Sequence, residues 1–231
     1  MIKKYLENLY KFAVELNLRN LFSLFEKNKE AMFLDLGCDD GVLTSEISKQ
    51  IGTNNSYGAE IVEESIELAR KKGVVVKKFD LNNKFDFEDN VFDVVHANQV
   101  IEHLYNSDNF IGEIFRVLKP GGYAIISTEN ASSWCNIFAS IMGWQIFSLT
   151  NISTIKPGIG NPIALHRNDD PILESWNHIR VYNIWGLREY LKVFNFKIEK
   201  IKGSGYFPLP AKFGNIDKAH CHFMTFKIRK I

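Results

Sequence analysis

The sequence predicts an α/β protein: a doubly wound, mainly parallel sheet of seven strands, with an insertion after the fifth strand and an antiparallel hairpin at the C-terminal end. Three observations carry this expectation. Apolar runs bounded by turn residues alternate with amphipathic helical patterns from Met32 to Thr128, the signature of successive βαβ units. The alternation stops over residues 129–179, where Pro157, Pro162 and Pro171 with Gly158 and Gly160 mark a long irregular stretch. Regular order then returns as one helix and two strands, close enough to pair as a hairpin.

Taken in order, apolar residues recur at helical spacing from residue 1 to 30 (Leu6, Leu9, Ala13, Leu16, then Leu21 and Phe25), predicting one or two helices ahead of the sheet. Strand Met32–Leu36 leads through Gly37 and Gly41 into helix Val42–Ile51. Strand Ser56–Glu60, helix Glu63–Lys72 and strand Val74–Phe79 follow. Strand Val91–Ala97, helix Asp108–Leu118 and strand Tyr123–Thr128 complete the regular region. Beyond the insertion, Ile184, Leu187 and Leu191 share one face of helix Tyr182–Phe194. Strands Lys197–Lys202 and His222–Arg229 close the chain. One domain is expected, made of an N-terminal helical segment (1–30), a core (31–130), an insertion (131–179) and a closing helix and hairpin (180–231).

Composition narrows the class. The 231 residues are 45% hydrophobic, enough for one good-sized core, and 28 basic against 27 acidic residues leave a net charge of +1. That balance gives no electrostatic footprint for nucleic acid as the main partner. Cys38, Cys135 and Cys221 are too few and too scattered for a disulfide framework or a zinc site, so a reducing, cytoplasmic compartment is expected. The first ten residues carry charges every few positions, unlike the apolar core of an export signal. No metal site is expected.

The polar residues that interrupt the apolar strands fall at strand C-terminal ends, where open α/β sheets bind ligands. Gly37–Gly41 follows the first strand, Glu60 ends the second, Asp80-Leu81-Asn82 follows the third and Asn98-Gln99 the fourth. A helix N-terminus after a glycine turn presents unpaired N–H donors to a polar ligand. Glu60, 19 residues beyond Gly41, is placed to accept hydrogen bonds from ribose hydroxyls. The turn lacks the Gly-x-Gly-x-x-Gly series that a dinucleotide pyrophosphate needs, which argues against a nicotinamide-dependent oxidoreductase.

Over residues 31–129 the chain resembles the class I S-adenosylmethionine-dependent methyltransferases, particularly their small-molecule group. The resemblance rests on Leu34-Asp-Leu-Gly-Cys-Asp-Asp-Gly41, Gly58-Ala-Glu-Ile61, Phe92-Asp-Val-Val-His-Ala-Asn98, Val100-Ile-Glu-His-Leu104 and the turn Leu118-Lys-Pro-Gly-Gly122. It implies a Rossmann-like methyltransferase fold and S-adenosyl-L-methionine as cofactor, released as S-adenosyl-L-homocysteine. It also implies roles. Asp35 and the turn Gly37, Cys38, Asp39, Gly41 would hold the methionine portion and ribose edge, and Glu60 the ribose hydroxyls. Asp80 and Leu81 would face the adenine, with Ile61 among the cofactor positions, and Asn98 and Gln99 would line the floor beneath the amino-acid part. Asp39 departs from the family pattern, which often has glycine there. A cofactor-binding protein without catalysis is the alternative that this residue raises.

Methyl transfer from a sulfonium chiefly needs alignment and exclusion of water, but a hydroxyl acceptor gains from a base. His103, after the fourth strand, and His178, before the last helix, are the candidates near neutral pH, each with the alternative of a packed or solvent-facing side chain. His166, His220 and His222 rank lower. In the charge-free stretch from Asn130 to Ile155, residues Trp134, Phe138, Ile141 and Met142 share one helical face. That face is expected to wall an acceptor pocket or to pack on the sheet, while Trp144, Ile146 and Phe147 are the residues expected to touch a membrane surface. An oxygen of a small molecule, saccharide or glycolipid is the expected acceptor.

Overall fold

In the computed structural model, residues 2–167, 169–171 and 173–231 are described; Met1, Asn168 and Ile172, which fall in the N-terminal segment and the insertion, lie outside the described residues. Helix α1 (Ile2–Phe22) precedes the regular region β1 (Phe33–Leu36), α2 (Val42–Ile51), β2 (Ser56–Glu60), α3 (Glu63–Lys71), β3 (Val75–Lys78), β4 (Phe92–Asn98), α4 (Ser107–Val117) and β5 (Leu118–Glu129). Short helix α5 (Trp134–Ile141) opens the insertion, and α6 (Ile184–Val193), β6 (Phe196–Ser204) and β7 (Phe223–Lys230) end the chain. The N-terminal pattern therefore folds as one helix.

The seven strands lie in the order β3-β2-β1-β4-β5-β7-β6, parallel through β5, with the C-terminal pair antiparallel as expected. Strand β1 pairs on one side with β2 and on the other with β4, so the order of winding reverses between β1 and β4. Crevices outside the carboxyl ends of strands at such a reversal are where this class of sheet takes ligands.

The fifth strand begins earlier than its sequence suggests. Phe92 pairs with Leu118, yet the next pair is Val94 with Tyr123, so residues 119–122 loop out as a bulge inside the strand. Gly121 sits at φ +78, and a Cβ at Gly122 would lie 2.9 Å from the Lys119 carbonyl oxygen, which is why two glycines occupy the bulge.

Two compact units interleave along the chain: unit one comprises Met1–Asn20, Thr128–Arg188 and Ile201–Thr225, and unit two comprises Leu21–Ser127, Glu189–Lys200 and Phe226–Ile231. Unit two holds part of every strand. Its core gathers Leu21, Leu24, Phe25, Phe33, Ile47, Ile51, Val94 and Ile125, and a second cluster joins Cys38, Ile66, Ala69, Val74 and Val76. In unit one Ala13, Ala211 and Phe223 pack with Tyr10 and Phe207. There α1 is fastened by the Ser204 hydroxyl donating to the Ala13 carbonyl at 2.9 Å and the Thr225 hydroxyl donating to Asn17 Oδ1 at 2.9 Å. Among the described residues no helix is long and apolar enough to cross a membrane.

Candidate active site

The turn after β1 is built by glycine where side chains would collide. Gly37 has φ +72 and a Cβ there would approach Val100 Cγ2 at 2.8 Å, so the segments that follow β1 and β4 touch across the reversal point. Gly41 has φ +77, and its Cβ would lie 2.8 Å from the Ala69 Cα. Both positions need the left-handed backbone and the missing side chain. The turn is fixed by the Gly37 and Cys38 N–H groups donating to the Ala59 carbonyl (2.9 and 3.1 Å), and by the Gly41 N–H donating to the Cys38 carbonyl at 2.9 Å.

Glu60 lies at the centre of the site's hydrogen bonding. Its Oε1 accepts from the N–H groups of Ile61 (2.7 Å) and Val62 (3.0 Å), and its Oε2 accepts from the Asp39 N–H at 3.0 Å. A carboxylate offers about four lone-pair sites, so three backbone bonds leave room for one more donor on this half-buried side chain. Both ribose hydroxyls together would require the Asp39 contact to yield.

Asp35 is engaged with the protein's own groups. It is 3% exposed; Oδ2 accepts from the Thr44 hydroxyl at 2.6 Å and Oδ1 meets His96 Nδ1 at 2.7 Å. Its work is internal: it ties the first turn of α2 to β1 and to the neighbouring β4, where Asp35 and His96 are register partners. Cys38 also points inward, into the Ile66, Ala69, Val74 and Val76 cluster, which leaves only its backbone to a ligand. Asp39, at φ +44, is exposed, and its Oδ1 accepts from the Ser65 hydroxyl at 2.7 Å. The extra carboxylate of the turn is thus engaged with α3.

At the third strand's end, Asp80 Oδ1 accepts from the backbone N–H and the side-chain amide of Asn82, both at 2.8 Å, while Leu81 is buried and Ile61 is 48% exposed. At the end of β4, Asn98 Oδ1 is enclosed without a hydrogen-bond partner. Gln99 stands at φ +56, its N–H donating to the Ser127 carbonyl at 2.8 Å. Such strain in a non-glycine residue gathers at functional sites, and a buried acceptor atom left over is a place for a ligand's donor.

The structure brings together the turn, Glu60, Asn98 and Gln99 at the carboxyl ends of β1, β2 and β4 in unit two. His103 is half-buried in the single turn of 3-10 helix Ile101–His103 that follows β4. His178 lies in unit one, where its Nδ1 donates to the Ser148 carbonyl at 2.7 Å; this fixes the tautomer and makes Nε2 the basic nitrogen. His166 pairs with Asp169 at 2.8 Å, and His220 pairs with Asp217, which also accepts from the Tyr206 hydroxyl at 2.6 Å. The Tyr206 bond, then His220, hold the Asp217 carboxyl below its ordinary range.

Helix α5 turns its apolar face outward: Trp134, Phe138, Ile141 and Met142 are 40%, 47%, 78% and 49% exposed. The face that packs inward is Asn136 and Ala139, so burial of the apolar face is ruled out. Sequence reasoning missed a group in unit one. Glu129, Cys135 and His222 meet there from the end of β5, the start of α5 and the residue before β7, at spacings that match no local motif.

A family model described as a methyltransferase domain matches residues 5–201. Among curated proteins, an uncharacterised methyltransferase of Schizosaccharomyces pombe is 32% identical over 119 residues, covering 46% of this chain and 43% of that protein. The mitochondrial ubiquinone biosynthesis O-methyltransferase of Dictyostelium discoideum is 24% identical over 212 residues, 85% of this chain and 59% of that protein. The chain thus spans about half the length of these relatives. The crystal structure of an S-adenosylmethionine-dependent methyltransferase from Mesorhizobium loti shares the fold, with a TM-score of 0.61, 18% identity, and coverage of 94% of this chain and 97% of that one.

Proposed function

The chain belongs to the methyltransferase-domain family, and from that premise we propose that it transfers a methyl group from S-adenosylmethionine to an oxygen of a small-molecule or saccharide/glycolipid-type acceptor. The observation that carries the reading is the site at the β1/β4 reversal. There a left-handed glycine turn, a carboxylate with one acceptor site to spare and an unpartnered Asn98 Oδ1 converge on one strand-end crevice. The residues present suit the cofactor: Asn98 Oδ1 would accept from the ammonium of its methionine part, Glu60 would accept from its ribose, and Asp80 and Leu81 would border its adenine.

When bound, the cofactor supplies a methyl group already activated on a sulfonium, so this chain's own work is alignment, exclusion of water and removal of the acceptor's proton. His103 and His178 are the residues proposed to take that proton, His178 through Nε2. The O-methyltransferase among the relatives supports oxygen as the atom methylated. The outward apolar face of α5 supports contact with a lipid surface on which a lipid-linked acceptor would be held. The bond of the Asp39 carboxylate to Ser65 supports reading the turn as one that still takes the cofactor.

The reading is tested by incubating the protein with methyl-labelled S-adenosylmethionine and a cell extract, then identifying labelled products by mass spectrometry. A labelled methyl ether on a small molecule or glycolipid is expected. Label confined to protein or nucleic acid, or none above a control lacking the protein, would sink the proposal.

A further inference from the structure

Unit one contains a thiol, an imidazole and a carboxylate in line, outside the cofactor residues. Cys135 Sγ lies 3.5 Å from His222 Nδ1, and on the other side of the ring His222 Nε2 lies 3.7 Å from Glu129 Oε1, an ion-pair separation. His222 is 4% exposed, its ring packed edge-on against Phe207 and Phe223 at centroid distances of 5.2 and 4.5 Å and facing Tyr10 at 6.0 Å. Glu129 Oε2 is enclosed and without a hydrogen-bond partner. A carboxylate that is poorly hydrogen-bonded in such a setting is costly unless a cation sits beside it.

The electrostatics supply that cation. Burial works against a charged ring, but the Cys135 sulfur and Glu129 outweigh it and lift His222 to about 9. Burial likewise pushes the Glu129 carboxyl up, yet His222, His178 and the Ser148 hydroxyl together hold it below its ordinary range. Burial, with Glu129 adding to it, pushes the Tyr10 phenol up to about 12, so Tyr10 stays neutral.

Three features set Cys135 apart as a nucleophile. The imidazolium of His222 is its neighbour, and it lies in the first turn of α5, at the positive end of the helix. Ser133, in the capping position of α5, makes no side-chain cap; its hydroxyl is 3.2 Å from Cys135 Sγ instead. Cys135 is also half-buried, whereas Cys38 and Cys221 are buried. Burial raises both of those thiols, Cys221 to about 12 and Cys38 further, which leaves them inert.

We propose that Cys135 is a reactive thiol that small hydroperoxides oxidise to a sulfenic acid, with His222 as its proton partner and Glu129 as the group that holds His222 charged. The Cys135 thiolate attacks one peroxide oxygen and the O–O bond breaks. The departing hydroxide takes the His222 proton, so the products are the sulfenic acid, water (or an alcohol) and a neutral imidazole.

The test is alkylation of the folded protein with iodoacetamide from pH 5 to 10, with peptide mapping, beside hydrogen peroxide treatment in the presence of dimedone. Cys135 is expected to label at pH 7 and to form the dimedone adduct, with Cys38 and Cys221 labelled only after denaturation. Glu129→Gln and His222→Gln should each slow labelling of Cys135 at pH 7, the second about tenfold or more. Because His222 is packed among rings, the wild-type profile and Glu129→Gln decide the matter if His222→Gln does not fold. Labelling of Glu129→Gln at the wild-type rate, Cys38 or Cys221 labelling as fast as Cys135, or no dimedone adduct at Cys135 would overturn the proposal.

Discussion

The Asp39 N–H donates to Glu60 Oε2 at 3.0 Å, so the residue that departs from the family's turn pattern is held by the residue proposed to receive the ribose. One carboxylate thereby shapes the turn and, in that reading, the ligand contact. Asp39's own carboxylate, bonded to Ser65, locks the same turn from its outer side.

Glu60→Ala should weaken binding of S-adenosylhomocysteine tenfold or more, because hydrogen bonds to a charged group contribute about 1.5–3 kcal/mol. Titration calorimetry reads the change. An unaltered dissociation constant would remove Glu60 from the cofactor site.

Gly58→Ala should destabilise the protein by about 1–3 kcal/mol, since overpacking a filled core forces its neighbours to shift. The added Cβ would stand 2.5 Å from Cys38 Sγ and 3.1 Å from Cys38 Cβ. Urea unfolding of the single variants and of the Cys38→Ala/Gly58→Ala pair forms a double-mutant cycle, and the pair should recover part of the loss. Strict additivity would show that the sulfur is not the obstacle.

If His178 or His103 takes the acceptor's proton, His178→Gln or His103→Gln lowers turnover and leaves cofactor affinity unchanged. Rates with the acceptor found by methyl labelling, set beside calorimetry with the cofactor product, make the distinction. Wild-type turnover in both variants would exclude histidine at these positions from the chemistry.

Stability should fall as pH rises from about 6.5 to about 9. The folded state lifts His222 to about 9 from 6.5, so its contribution is complete below 6.5 and is lost as pH climbs through the folded value. Glu129 acts in the opposite direction: its lowered carboxyl contributes above 4.5, and that contribution fades in acid. Urea midpoints across pH 6–10 should decline in the wild type and be flatter in Glu129→Gln. Parallel profiles would show that the two residues are not coupled.

Much of this architecture was legible because its signals are local. The period of Ile47 and Ile51 in α2, the apolar run of β1 and the glycines at 37 and 41 each state their structure within a few residues. What was hidden depends on direction and on distant partners. Asp35 reads as an acid at a strand end, and only the register of β1 on β4 shows that it faces His96. The start of β5 was misplaced because Pro120, Gly121 and Gly122 read as a turn, whereas Leu118 still pairs with Phe92 ahead of the bulge. Cys135, His222 and Glu129 come from three separate segments, and no spacing rule joins residues 87 positions apart.

The contact between Cys38 and Gly58 also has an evolutionary reading. Sulfur fills the space that a side chain on β2 would need, so the two positions are not independent sites of variation. Where a homologous chain carries glycine in place of Cys38, only the neighbour at position 74, 3.2 Å away here, still crowds a Cβ on the strand position opposite. Where the bulk of cysteine persists, glycine must persist with it. Paired substitution at these two positions is therefore the trace this turn should leave across a lineage.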